Sequence, residues 1–213
     1  MTMPHSDKSY STKADLKDRW GGLLEHPFIS RIQRTCLDGL RVEKLSNILR
    51  PFDFENVLDV CCGVGEYSSL KKCPYVGIDN SLFHIAYAQK KYKVPTFIDG
   101  DAKQLPFQDN TFSAVMLACA SHHFSDRDFR EVLSEMKRVS RKYLIVDDAV
   151  RTVTQSPASK FFYKLDRGTN FRTMPEMEQI LQGLGGWKIA LKQTYTSFPG
   201  IYLHAVFVLT PDR

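Results

Sequence analysis

Short apolar runs alternate with helical patterns along most of this chain, and this alternation limits the possible folds more than any other feature. Five strand candidates end at Val60, Asp79, Asp99, Ala120 and Ala149. The fourth, "SAVMLACA", is continuously apolar, as expected for a strand that is buried on both faces. Strands that alternate with helices predict a parallel sheet with helices on both faces, joined by right-handed crossovers.

The helical segments carry their own start and face signals. Ser81 is the predicted N-cap of a helix over "LFHIAYAQKKYK". The helix after "SHHFS" is predicted to bury one face, formed by Phe129, Val132, Leu133, Met136 and Val139. Near the C-terminus, "PEMEQILQGLGGW" predicts a helix that ends at glycines.

Two further strand candidates, "WKIALKQTYT" and "IYLHAVFVL", are joined only by "SFPG". Because this connection is short, the last strand is predicted to run antiparallel. The expected fold class is therefore α/β: a Rossmann-like, mostly parallel seven-stranded sheet with an antiparallel last strand. The 213 residues are interpreted as a single domain. Within it, we expect N-terminal helices capping the site (1–50), a cofactor-binding core (51–150), a lid insert (151–174), and a C-terminal helix and hairpin (175–213).

Composition argues against several classes of protein. The net charge of +5 is modest and the basic residues are interleaved with acidic ones, which favours solvated helix faces over a nucleic-acid footprint. Five cysteines, two of them adjacent, fit a reducing cytoplasm better than a disulfide framework. Their spacing relative to histidines predicts no metal site. The N-terminal residues lack the apolar core of a signal peptide, and no apolar run is long enough to span a bilayer.

A glycine turn follows the first strand in "VLDVCCGVGEYS". Gly63 and Gly65 permit a tight bend, and the N–H groups of the following turn can bind an anionic group. Asp79 ends the second strand, where a carboxylate can accept hydrogen bonds from ribose hydroxyls. A nicotinamide-dependent enzyme fits these two features as well, although the turn lacks the GxGxxG spacing.

The segment "GDAKQLPFQDNTFSAVMLACASHHFSD" distinguishes these alternatives. It resembles the region after the third strand in class I S-adenosylmethionine-dependent methyltransferases, especially the ubiquinone and menaquinone biosynthesis branch. The resemblance extends from Val57 to Asp148. It implies S-adenosylmethionine as the cofactor and a small molecule as the methyl acceptor.

The resemblance also implies which residues bind the cofactor. Asp59 and the region of Gly63 would hold the amino and carboxylate groups of the methionine part, and Asp79 would hold the ribose. Asp101 and the backbone N–H of Ala102 would contact the adenine edge.

Backbone near Leu117 and Ala118 would line the methionine tail. Cys61 replaces the first glycine of the family motif, and Asn80 stands where an apolar residue often packs on adenine. Cys61 and its neighbour Cys62 are interpreted as small fillers and not as redox groups.

Catalysis of methyl transfer needs a base only if the accepting atom must lose a proton. His122, His123 and Asp148 follow the fourth strand or end the fifth, near the expected mouth of the site. An alternative is that the histidines hydrogen-bond the loop or cap the next helix. The lid contains residues that could line an acceptor site, with aromatic rings for an apolar acceptor and arginines for an acidic group: Phe161, Phe162, Tyr163, Phe171, Arg167 and Arg172. The alternative for the aromatic residues is a lid helix that packs on the core.

Two other functions fit the same residues. The mild basic excess is compatible with methylation of RNA or protein, although no DPPY-type motif follows the fourth strand. A non-catalytic S-adenosylmethionine-binding subunit would keep the same three aspartates, Asp59, Asp79 and Asp101. The sequence identifies neither the acceptor nor the oligomeric state.

Overall fold

Seven strands form one sheet in the computed structural model, which describes residues 40–165, 168–197 and 200–212. The strands are β1 (Val57–Val60), β2 (Tyr75–Asp79), β3 (Thr96–Asp99), β4 (Phe112–Ala118), β5 (Ser140–Val150), β6 (Trp187–Thr196) and β7 (Leu203–Pro211). Their order is β3-β2-β1-β4-β5-β7-β6. The first five strands are parallel, and β7 pairs antiparallel with both β5 and β6. The predicted fold class is confirmed.

Helices pack on this sheet in the order that the sequence predicts. The described helices are α1 (Arg41–Ile48), α2 (Leu82–Lys91), α3 (Asp126–Val139), α4 (Pro157–Leu165) and α5 (Met174–Gln182). Short 3₁₀ turns follow β1 at Glu66–Ser69 and β4 at Ser121–His123. The glycine turn after β1 therefore leads into a single 3₁₀ turn.

The helix ends follow from local side-chain chemistry. The Ser81 hydroxyl accepts a hydrogen bond from the His84 N–H at 3.3 Å, which confirms the predicted N-cap of α2. Ser125 caps α3 in the same way, through the Asp128 N–H at 3.1 Å. The apolar face predicted for α3 is buried along its whole length. These caps fix where the loops at the carboxyl ends of β2 and β4 end and the helices begin.

The strand order places a crevice beside β1. From β1 the chain moves outward through β2 to β3 and then returns to add β4 on the other side of β1. Ligands in open α/β sheets bind at such a reversal, outside the carboxyl ends of the strands. The glycine turn after β1 and the loop after β4 therefore border the expected binding crevice.

Most of the predicted capping region, residues 1–39, lies outside the described residues, so that prediction stays open. The described part of it is α1, in which Leu45 is fully buried; Leu49, just beyond the helix, is also fully buried. Within the described ranges, none of the helices combines the length and the apolar character that crossing a membrane requires.

Candidate functional site

The turn after β1 contains three residues in the left-handed backbone region. These are Cys61 (φ 59°), Gly63 (φ 53°) and Gly65 (φ 78°). A Cβ on Gly65 would lie 2.6 Å from the ring of Phe97, so the position requires glycine. Cys61 adopts at some conformational cost the geometry that glycine supplies in the family motif. Burial raises the pKa values of the Cys61 and Cys62 thiols, which keeps both neutral, as expected for fillers.

Asp59 is a buried acid whose hydrogen-bonding capacity is only half used. Its side chain lies in β1 and is 1% exposed, and the Tyr75 hydroxyl donates to its Oδ2. Among the described residues, no donor reaches the buried Oδ1. Burial raises the pKa of Asp59 to about 8, although the Tyr75 hydrogen bond opposes this shift. A buried acceptor without a donor is unfavourable unless a ligand supplies one.

Asp79 links the ends of β1 and β2. Its Oδ2 accepts from the Gly63 N–H at 2.8 Å, and its Oδ1 accepts from the Ser81 N–H at 2.9 Å. The His84 Nδ1 lies 3.3 Å from Oδ1. Burial raises the pKa of Asp79, but these hydrogen bonds outweigh burial and hold the pKa below its ordinary value. The carboxylate is thus ionised and fixes the turn.

The third aspartate predicted to bind the cofactor follows β3. Asp101 is exposed, and its carboxylate accepts from the Lys103 N–H at 2.9 Å, while Ala102 beside it is buried. Burial raises the pKa of the Cys61 thiol, and the charges of Asp79, Asp59 and Asp101 raise it further. All three carboxylates therefore act electrostatically on the turn that contains Cys61.

The remaining predicted cofactor residues lie where the parallel strands have their carboxyl ends, which we call the carboxyl edge of the sheet. Leu117 and Ala118 are buried at the carboxyl end of β4, and Asn80 is exposed directly after β2. The structure thus brings together residues that are as much as 59 positions apart in the sequence, from Asp59 to Ala118.

His122 and Asp148 form a buried pair across the ends of β4 and β5. The His122 Nδ1 lies 2.7 Å from Asp148 Oδ1, and the His122 N–H donates to Oδ2 at 2.9 Å. The Ser121 hydroxyl also donates to Asp148 Oδ2. Burial raises the pKa of Asp148, but the His122 charge and these hydrogen bonds outweigh it and hold the pKa well below the ordinary value. Such a carboxylate is a weak base and a good orienting group. His123, by contrast, is exposed.

Aromatic side chains of the insert pack against this pair. The Phe171 ring stacks on the His122 ring at 4.6 Å with an interplanar angle of 7°. Tyr163 packs on Phe171 at 4.6 Å, and its hydroxyl donates to the Val150 carbonyl at 2.8 Å. Phe161 is 58% exposed and lies against Phe162. Of the four aromatic residues predicted to line an acceptor site, Phe171 and Tyr163 thus pack beside His122.

Arg172 has a different role from the acid-binding one expected from the sequence. Its side chain is 4% exposed and donates to Asp126 Oδ1 at 2.9 Å and to the Ser121 and Phe124 carbonyls at 2.9 Å each. These bonds tie the end of the insert to the loop after β4. Arg167 lies outside the described residues. Sequence reasoning missed this role, and also the Tyr75 contact to Asp59, because neither follows from spacing along the chain.

Sequence comparison identifies relatives of the central segment. A family described as a methyltransferase domain matches residues 57–143. The chain is 32% identical over 123 residues to the demethylmenaquinone methyltransferase of Thermotoga maritima, covering 55% of this chain and 53% of that protein. It is 36% identical over 94 residues to the phthiotriol/phenolphthiotriol dimycocerosates methyltransferase of Mycobacterium tuberculosis, covering 41% of this chain and 34% of that protein. The chain thus matches about half of the length of the first relative and about a third of the second.

Comparison with solved structures supports the same fold. The magnesium protoporphyrin IX methyltransferase from Synechocystis PCC 6803, solved with bound SAH, superposes with a TM-score of 0.67 at 20% identity, covering 93% of this chain and 95% of that one. At this identity the likeness establishes the fold alone. The family match over residues 57–143, the glycine turn and this fold make the chain similar to class I S-adenosylmethionine-dependent methyltransferases.

Proposed function

We propose that this protein transfers the methyl group of S-adenosylmethionine to a small apolar or aromatic molecule. The observation that carries the proposal is the buried Oδ1 of Asp59, which lacks a donor among the described residues. The ammonium group of the methionine part is the donor that the family resemblance assigns to this carboxyl. A cation there would also favour ionisation of a group whose pKa burial raises to about 8.

The other residues of the crevice fit the rest of the cofactor. Gly63 and Gly65 keep the backbone of the turn free of side chains. Asp79 is ionised and held by the Gly63 and Ser81 N–H groups, which suits a carboxylate that accepts from ribose hydroxyls. Asp101 and the backbone N–H of Ala102 follow β3 and would contact the edge of the adenine ring. S-adenosylmethionine, when bound, supplies a methyl group on a positively charged sulfur that an aligned nucleophile can attack directly.

The contribution of the chain is then to align the acceptor and, where needed, to remove its proton. Positioning of this kind lowers a barrier by about 7–11 kcal/mol. We assign the base role to His122 rather than His123, because Asp148 orients the His122 ring. In the neutral ring a carboxylate at Nδ1 holds the proton on that nitrogen, which makes Nε2 the basic nitrogen. Asp148 is a positioning residue in this scheme.

The acceptor class follows from the walls near His122. Phe171 and Tyr163 present aromatic rings, and Arg172 is committed to the loop after β4, so the described residues favour an apolar acceptor over an acidic one. The related proteins named above are demethylmenaquinone and phthiotriol/phenolphthiotriol dimycocerosates methyltransferases, which supports an apolar acceptor with a hydroxyl group or an acidic carbon.

We also propose a reducing cytoplasmic location, which the free thiols of Cys61, Cys62, Cys73 and Cys119 favour.

The test is transfer of labelled methyl groups from S-adenosylmethionine by the full chain. Separate reactions would contain substituted phenols and hydroquinones with apolar side chains, a polar metabolite extract, RNA, and a protein extract. We expect label in the phenol and hydroquinone products, and loss of that label in the Asp59→Asn variant. Label in RNA or protein alone would contradict the proposed acceptor. Cofactor binding without transfer to any pool would favour a non-catalytic subunit.

A further inference from the structure

Three side chains from different parts of the chain meet near the carboxyl ends of β4 and β5, separate from the His122–Asp148 pair. Cys119 directly follows β4, Asp147 lies in β5, and His204 lies in β7. The His204 Nδ1 is 3.9 Å from Cys119 Sγ and 3.2 Å from Asp147 Oδ1. All three atoms lie within 4.8 Å of one another.

This arrangement differs from a nucleophilic triad. In a triad the histidine faces the nucleophile with one ring nitrogen and the carboxylate with the other. Here a single nitrogen, Nδ1 of His204, faces both the thiol and the carboxylate. The sulfur, nitrogen and oxygen atoms thus converge on one point, as the ligands of a metal ion do.

We propose that Cys119, Asp147 and His204 bind one divalent transition metal ion of the zinc type. Zinc binds thiolate at about 2.3 Å and imidazole and carboxylate at about 2.0–2.2 Å, so tetrahedral ligand atoms lie about 3.3–3.6 Å apart. The two separations from His204 Nδ1, 3.9 Å and 3.2 Å, are near these values, while the thiol and the carboxylate, within 4.8 Å of each other, must approach more closely when the ion binds. Three protein ligands leave the fourth position for water or another small ligand, as in zinc sites that act on a substrate.

Neighbouring side chains hold two of these ligands in place. The Tyr195 hydroxyl donates to Asp147 Oδ2 at 2.8 Å, which leaves Oδ1 toward His204. The Tyr195 ring also stacks on the His204 ring, with centroids 4.8 Å apart and an angle of 13°. Partners of this kind orient metal ligands and raise metal affinity. Asp147 and His204 are 0% and 2% exposed, and Cys119 is partly exposed.

The backbone at Cys119 supplies a second observation. Its φ of 53° lies in the left-handed region, and its N–H donates to the Asp147 carbonyl at 2.7 Å. A non-glycine residue in this conformation is strained, and such strain concentrates at functional sites. The conformation holds the thiol beside the carboxylate and the imidazole.

The site is distinct from the proposed proton-transfer pair, although each uses one of two adjacent residues of β5, Asp147 and Asp148. Successive side chains of a strand point to opposite faces of the sheet. Asp148 accordingly meets His122, whereas Asp147 meets His204 and Tyr195. The metal site therefore does not depend on the proposed methyl transfer, and its test does not require an acceptor.

The experiment is a cobalt titration of the full chain, purified without a histidine tag and freed of metal with a chelator. Cobalt is a spectroscopic probe for zinc sites, and a thiolate ligand gives it a charge-transfer band in the near ultraviolet. We expect one equivalent of cobalt to produce this band and one equivalent of zinc to remove it. Cys119→Ser should abolish the band, and His204→Gln should weaken metal binding at least tenfold.

Matched variants keep the test decisive. Cys73→Ser and His123→Gln change the same residue types away from the cluster and should keep the band and the affinity. Tyr195→Phe retains all three ligands and should weaken binding about ten- to a hundredfold. Circular dichroism reports whether each variant is folded, and Tyr195→Phe carries the test if a ligand variant does not fold. An absent band in the wild type, or an unchanged band in Cys119→Ser, would overturn the proposal.

Discussion

At the residue scale, the aspartates at the carboxyl edge differ in how well their oxygens are satisfied. Asp79 and Asp148 accept several hydrogen bonds, which lower their pKa values against the effect of burial. Asp59 accepts one described hydrogen bond, and burial raises its pKa to about 8. The carboxyl group is therefore an ionised structural group at Asp79 and Asp148, whereas at Asp59 it is protonated at neutral pH and keeps one oxygen without a described donor.

Asp59→Asn should raise the stability of the ligand-free protein while removing cofactor binding. Because the folded state holds the Asp59 proton up to about pH 8, unfolding between about pH 4 and 8 releases it, and the free energy of unfolding falls as pH rises. Asparagine does not ionise, so the free energy of unfolding of the variant should not fall in this way. The difference in unfolding free energy between variant and wild type should therefore grow by about 1–3 kcal/mol between pH 5 and 8. Urea unfolding at both pH values measures it. Asp53→Asn, an exposed control, should change neither quantity; a gap independent of pH would contradict the expectation.

His122→Ala should slow methyl transfer by roughly 10²–10⁴ if His122 removes a proton. Only the neutral imidazole accepts a proton, so the wild-type rate should rise with pH until His122 is fully deprotonated. Initial rates across pH 5–9 check both effects, and Asp148→Asn should change the pH profile as well. The exposed His123→Ala is the control. A lower melting temperature with near-normal turnover would show instead that His122 is structural.

At the element scale, the insert between β5 and α5 is fastened at both ends. Arg151 and Thr173 form an isolated parallel bridge, and the Arg151 N–H donates to the Arg172 carbonyl at 2.8 Å. The Arg172 guanidinium then binds the Ser121 and Phe124 carbonyls. The bases of the insert are therefore fixed, while α4 between them keeps exposed surface that includes Phe161.

Arg172→Ala should destabilise the protein by about 2–4 kcal/mol, because it removes the charge-assisted hydrogen bonds to Asp126 and to the Ser121, Phe124 and Asn170 carbonyls. Lysine cannot reproduce the forked set of bonds, so Arg172→Lys should recover only part of the loss. Arg127→Ala is the control, since that side chain is 88% exposed and its pair with Glu131 contributes less than about 0.5 kcal/mol. Equal unfolding free energies for the two alanine variants would refute the anchoring role.

If residues 151–174 form a lid, limited proteolysis should cut α4 first in the ligand-free protein, since lids are drawn from the least stable parts of a fold. Trypsin should cleave after the exposed Lys160 or Lys164 before it cleaves after the buried Arg172. Cofactor and acceptor together should slow this cleavage. Mass spectrometry of the early fragments identifies the sites. First cuts elsewhere, with the insert intact, would mean that the insert is ordinary packed structure.

At the scale of the whole molecule, the sheet order brings the ends of β1, β2, β4 and β5 to one edge. The proposed cofactor site therefore draws on loops that are far apart in sequence but rest on one rigid sheet. A ligand that binds only this assembled edge stabilises the entire fold against unfolding.

S-adenosylmethionine or its demethylated product at a hundred times its dissociation constant should stabilise the protein by about 2.7 kcal/mol. For a chain of this size this corresponds to a rise in melting temperature on the order of 5–10 °C. Differential scanning fluorimetry measures it, with NAD as the comparison ligand. Asp79→Asn should lose most of the rise. A rise with NAD and none with the other two ligands would be incompatible with the proposed cofactor.

Local patterns in the sequence were enough to predict the architecture. The continuously apolar run that became β4, the N-cap Ser81 and the buried face of α3 each depend on residues close together in the chain, and the structure confirms them. The glycine turn and the family motif likewise identified the carboxyl edge and its three aspartates. The secondary structure, and with it the mostly parallel type of sheet, follows from such short-range periodicity and capping chemistry.

Only the tertiary structure decided which polar groups meet. Three observations depend on side chains that folding brings together. One oxygen of Asp59 has no described donor, Arg172 anchors the insert, and Asp148 orients His122. Asp147 and His204 lie on β5 and β7 and Cys119 directly follows β4, and β7 reaches β5 only through the antiparallel return of the chain. Spacing along a sequence carries no information about such contacts, because hydrogen bonds and metal ligation act over a few ångströms in space.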